Sequence, residues 1–186
     1  MSLDEEVIEV YGLGRITIPG LRVLRNIYEA AETDMLAAFQ YVEPTLDNLN
    51  VYSVQFWRLL QDTCNGVDSA FNLWYAVLKV GDREKPNIID YYPLLGRLLR
   101  DENQALSVMR GPGYLVAPFQ GWDGDSGIPR WWTAHNSTKH SLDRVTFSAA
   151  SLSNALHALG ALYLILNDRY SVARRPMGTR VFKAVF

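Results

Sequence analysis

The sequence predicts an all-α bundle of about five helices, with a short N-terminal extended arm or hairpin and minor strand segments. Three observations carry this expectation. Apolar residues recur at three- and four-residue spacing over most of the chain. Alternating β-branched runs are short and sit near the two ends. Proline and glycine cut the periodic stretches into helix-sized pieces. With 186 residues, one domain spanning 1–186 is expected, because a chain of this size buries about 70% of its unfolded surface.

Residues 1–19 form the predicted arm, with two β-branched runs around Gly12-Leu13-Gly14 and a stop at Pro19-Gly20. A helix follows, since Leu21, Leu24, Tyr28, Ala31, Met35, Phe39 and Val42 share one face. Pro44 ends it. A second helix starts near Asn50. Its stripe is Val54, Trp57, Leu60, Cys64, Val67, Phe71, Trp74 and Leu78, and Asn65-Gly66 is a candidate bend. Ile88, Tyr91, Tyr92, Leu95, Leu98 and Leu99 mark a third helix, which Asp101 to Met109 continue or follow with a fourth. Gly111-Pro112-Gly113 ends that region, and Tyr114 to Phe119 reads as an edge strand or extended loop because Pro118 lies in it. A Gly/Asp-rich loop over 120–128 precedes a helix that enters at Pro129 and runs to about Asp143. Phe147 to Asn167 is the strongest helical pattern, with Leu152, Leu156, Leu159, Tyr163 and Leu166 along one face and alanines that permit close approach. The tail, 176–186, ends in a short alternating run.

Composition narrows the function classes. Cys64 is the only cysteine, so neither an internal disulfide nor a multi-cysteine zinc site is expected. No basic flank joins an apolar run near the start, and no apolar stretch is long enough to span a bilayer. A cytoplasmic protein without membrane contact is the expectation. The net charge of −2 does not announce nucleic-acid binding by itself. The charge is nonetheless uneven: the first 50 residues are acidic and the tail, with Arg169, Arg174, Arg175, Arg180 and Lys183, is basic. Solubility and helix-end complementation account for that distribution, and a basic edge for a phosphate backbone or for another copy is the sharper alternative.

Several motifs fail on inspection. Gly12-Leu13-Gly14 lacks the third glycine of a dinucleotide fingerprint, Thr17 standing in its place. Gly124-Asp125-Ser126-Gly127 resembles the nucleophile peptide of chymotrypsin-like proteases, but those need histidine and aspartate upstream, and His135, His140 and His157 all follow. Asn136-Ser137-Thr138 matches a glycosylation acceptor only in a secreted chain. His135 and His140 diverge by about 140° on a helix and do not chelate as an i, i+4 pair would, and Asp123 and Asp125 alone do not make a magnesium site. No metal and no cofactor are expected. His157, within an apolar helix, reads as a hydrogen-bonded core or interface histidine.

One segment concentrates the polar chemistry: Trp131 to Arg144, preceded by Arg130. Trp132, Asn136, His140 and Asp143 fall along one helical face, and Arg144 stays close to it. Asparagine and histidine are poor helix formers, so propensity does not explain them there. The pattern of tryptophan, Asn136, Lys139-His140 and Asp143-Arg144, followed by an alanine-rich amphipathic helix, resembles the HEPN superfamily over roughly Trp131 to Leu166. That resemblance implies a helical bundle that works as a homodimer on RNA without a metal, with arginine and histidine from two copies forming a composite endoribonuclease site. In such a site a histidine moves the 2′-hydroxyl proton and an arginine stabilises phosphoryl charge.

Two registers carry over. Arg130-x4-His135 satisfies the arginine-to-histidine spacing, although Trp131 follows the arginine where active members have a polar residue. Asn136, Lys139 and His140, with Arg144 as the cation, fit the Lys-His subtype, although the arginine then follows the histidine. The candidate catalytic residues are therefore His140, Asn136, Arg144, Arg130 and His135, with Lys139 and Trp132 as RNA contacts. The alternative is a non-catalytic structural or protein-interaction domain, in which the tryptophans are core and His140 and Asn136 belong to a buried polar network.

Overall fold

The computed structural model describes residues 5–10, 14–79, 81–98, 104–110, 113–140, 143–167 and 179–184. It is mainly helical with minor strands, as the periodicity predicts. The N-terminal arm is a hairpin: β1 (Glu5–Val10) pairs antiparallel with β2 (Gly14–Pro19), Glu5 opposite Pro19 and Val10 opposite Gly14. Residues 11–13, between them, lie outside the described residues.

Helix α1 (Leu21–Ala38) buries Leu21, Leu24, Tyr28, Ala31 and Met35, the predicted stripe. Helix α2 (Val54–Leu78) starts four residues later than expected because Ser53 caps it, its Oγ accepting from the Phe56 N–H at 3.1 Å. A short 3-10 turn at Leu46–Asn48 occupies the intervening chain. The helix runs unbroken through Asn65-Gly66. A Cβ on Gly66 would sit 3.1 Å from Leu162 and 3.2 Å from Ile27, so the glycine serves close helix approach rather than a bend.

The third helix, α3 (Tyr92–Leu98), is short, and Ile88 to Tyr91 form turns before it. The 101–109 stretch is not helical where it is described. Leu106–Val108 is β3, which pairs antiparallel with β4 (Leu115–Val116) on one side and β5 (Phe182–Ala184) on the other. Three residues of strand are too few for periodicity to distinguish from a helical turn, and the pairing partner comes from the far end of the chain.

Helix α4 spans Arg130–His140. Asp143 caps a separate turn, α5 (Arg144–Phe147), accepting from the Val145 and Thr146 N–H groups at 2.9 and 3.0 Å. Helix α6 (Leu152–Asn167) therefore starts five residues later than the sequence pattern suggested. It is buried on nearly every side, against α1, α2 and α4 and beneath the small sheet. Gly160 lets the sheet approach it: a Cβ there would meet Pro118, Leu106 and Val116 at 3.1–3.3 Å.

The end of the chain is tied to α1 through one buried carboxylate. Glu32, 4% exposed, accepts hydrogen bonds from Thr179 Oγ1 (2.6 Å), the Arg180 N–H (2.7 Å) and Tyr28 Oη (3.0 Å), and from Arg180 Nε at 3.3 Å. Burial raises its pKa, but these donors outweigh that effect and hold it below the usual carboxylate value. Arg169, Arg174 and Arg175 of the basic tail, together with 176–178 and 185–186, lie outside the described residues. No helix among the described residues is long and apolar enough to cross a membrane.

Candidate functional site

Helix α4 is held rigidly on its inner side. Trp131 is fully buried and donates from Nε1 to the Pro118 carbonyl at 2.7 Å. From α2, Trp57 Nε1 donates to the Thr138 carbonyl at 3.3 Å and Gln61 Nε2 to Thr138 Oγ1 at 3.0 Å. A run of ring contacts continues from Phe71 through Phe119 and Trp131 to Trp132 and His135, with centroid separations of 5.6–6.3 Å. The loop before α4 is fixed too: Asp123 Oδ1 accepts from the N–H groups of Asp125 and Gly127 at 2.9 and 2.7 Å. That carboxylate is occupied in shaping a turn.

The predicted residues divide into two sets. Trp132 and His135 are core, 8% and 4% exposed. His135 Nδ1 has no hydrogen-bond partner among the described residues. Burial, and then the positive charges of Lys139 and His140, push the imidazole down to about 4. Such a ring is neutral at neutral pH and shielded from solvent. Arg130, Asn136, Lys139 and His140 are exposed. Arg144 opens α5, but its side chain lies outside what is described.

The exposed residues of α4 form a stripe. Arg130, Thr133, Asn136 and His140 lie within one angular sector, Lys139 at its edge, and no acidic residue occurs in the helix. Arg130 and His140 stand about 15 Å apart along the axis. Lys139 is close enough to the half-buried Asp68 to act on its carboxyl, whose pKa burial raises while the Tyr91 hydroxyl and Lys139 lower it.

The structure also assembles residues that sequence reasoning kept apart. Arg130 lines a cleft of about 520 Å³ together with His157 of α6. His157 was expected to be a hydrogen-bonded core or interface histidine. It is half-buried, and its Nδ1 lies 2.8 Å from the Ser153 carbonyl. Its hydrogen-bonding was legible from its setting among Leu156 and Leu159, but the cleft was not, because its walls come from three separate segments.

None of the known protein families, curated proteins or solved structures matches this chain.

Proposed function

We propose that this chain is an RNA-binding helical domain whose contact surface is the outward stripe of α4. One observation carries the reading. A helix clamped to the core by two tryptophans presents Arg130, Asn136, Lys139 and His140 to solvent with no carboxylate among them. Cations on a rigid helix face attract a phosphate backbone, and amides beside them offer hydrogen bonds to sugar or base edges. The resemblance to HEPN proteins adds the expectation of a homodimer and of metal-independent cleavage. Of the two catalytic registers, the exposure of His140 favours Asn136, Lys139 and His140, since His135 is buried.

The burial of His135 favours a second reading, a structural or protein-interaction domain with a polar histidine inside. The two are separated by measuring binding of single-stranded RNA oligomers over a series of salt concentrations. The RNA reading expects binding that weakens with salt, and a log–log slope that falls by about 1 in Lys139→Gln. Cleavage in EDTA that is lost in a folded His140→Ala variant supports catalysis. Intact, unbound RNA with wild-type protein overturns the RNA reading in favour of the interaction domain.

A further inference from the structure

The cleft beside the first turn of α4 is distinct from the outward stripe, and Arg130 belongs to both. Its volume, about 520 Å³, falls within the roughly 300–1,000 Å³ of small-ligand sites. Among the described residues, Arg130 is its one charged lining residue and no carboxylate lines it. An arginine unopposed by acid selects an anion, and its planar fork suits the paired oxygens of a phosphate.

The rest of the lining is built for hydrogen bonding. Asn154 of α6 donates from Nδ2 to the Ala149 carbonyl at 2.8 Å. That bond orients the amide and leaves its oxygen and one N–H for a ligand. Gln120, exposed at the rim, adds a second donor–acceptor pair. His157 donates from Nδ1 to the Ser153 carbonyl at 2.8 Å in the tautomer this contact favours, which leaves Nε2 as an acceptor. The Tyr114 ring packs edge-on against His157 at 6.2 Å and stands half-exposed in the cleft wall. An aromatic wall, two amides and an imidazole acceptor are the elements that hold a nucleobase, by stacking and by its hydrogen-bonding edge.

We propose that this cleft is a subsite for one nucleotide, with the phosphate on Arg130 and the base held by Asn154, Gln120 and the Tyr114 ring. The inference rests on the RNA reading in one respect only: the nucleotide is taken to belong to a strand that continues along α4 through Arg130. Free mononucleotide binding is measured separately, so the two ideas fail independently.

The full chain is titrated with AMP, GMP, CMP, UMP and inorganic phosphate by calorimetry, with NMR shifts of the His157 ring as a local readout. At least one mononucleotide is expected to bind more tightly than phosphate and to shift His157. Arg130→Gln should weaken that binding roughly ten- to a hundredfold, the loss of a charge-assisted pair. Asn154→Leu, and the exposed Gln120→Leu if the former unfolds, should change the preference among the four bases. Lys139→Gln should leave mononucleotide binding unchanged while reducing oligomer binding. Failure of all four mononucleotides to bind overturns the inference, as does equal binding by Arg130→Gln or a phosphate affinity matching the nucleotides. Oligomer binding without mononucleotide binding removes the subsite and leaves the RNA reading standing. Mononucleotide binding without oligomer binding does the reverse.

Discussion

Acidification from pH 7 to pH 4.5 should destabilise the protein through His135, and the size of the effect follows from where the ring sits. The imidazole is 4% exposed, its Nδ1 is unpaired among the described residues, and burial with the nearby Lys139 and His140 charges lowers its pKa to about 4. In the unfolded chain the same ring titrates near 6.5. The unfolded state therefore binds the proton more tightly. Stability from keeping the ring neutral is complete above pH about 6.5 and is lost as pH falls towards about 4. At pH 4.5 the loss amounts to roughly 2–3 kcal/mol. Burial also lowers the His157 pKa, so its contribution has the same sign, and a variant is needed to isolate His135. His135→Leu keeps a side chain of similar size and removes the titrating group. Urea unfolding of wild type and variant at pH 7, 6, 5 and 4.5 measures the difference. The variant should be at least as stable as wild type at pH 7, because an unsatisfied buried nitrogen costs about 1–3 kcal/mol. Its stability should also fall less steeply with acid. An NMR titration placing the His135 ring near 6.5, or parallel stability curves for the two proteins, would refute the reasoning and return His135 to the list of accessible histidines.

Three further outcomes test the fold that positions α4 and its cleft. Glu32→Gln should destabilise by about 2–4 kcal/mol, since it weakens four charge-assisted bonds at once, and hydrogen exchange should show β5 deprotected. Because the folded Glu32 pKa is depressed, its stabilisation is complete above the ordinary glutamate value of about 4.5 and lost as pH falls through the lower folded value. Gly160→Val should cost about 1–3 kcal/mol by thermal unfolding, as the new side chain drives into Pro118, Leu106 and Val116. Asp143→Ala should cost about 1 kcal/mol in denaturant unfolding and loosen α5, because two N–H groups lose their acceptor.

The long helices were legible because burial on one side of a helix imposes its period on the sequence. Leu21, Leu24, Tyr28, Ala31 and Met35 announced α1, and Leu60, Cys64, Val67, Phe71 and Trp74 announced α2. The arm was legible as extended chain from its short β-branched runs. The break between α4 and α6 was not, since a side chain that caps one turn leaves no periodic trace, and Asp143 reads equally as the end of a continuing helix. At the candidate site, Trp132, Asn136 and His140 share a face by spacing, yet the tryptophan is buried and the other two are exposed. Each four-residue step turns about 40° further around the helix, and the edge of the core passes between them.

The sequence by itself determined the helical class, the core stripes of the two longest helices, the extended character of the N-terminal arm and the segment that concentrates polar chemistry. These depend on local period and residue type, which the chain carries residue by residue. Only the tertiary structure decided which of those polar residues face solvent, that the tail closes on Glu32, and that Arg130 shares a cleft with His157. Those outcomes depend on segments far apart in sequence being brought together, and no local pattern records the distance between them.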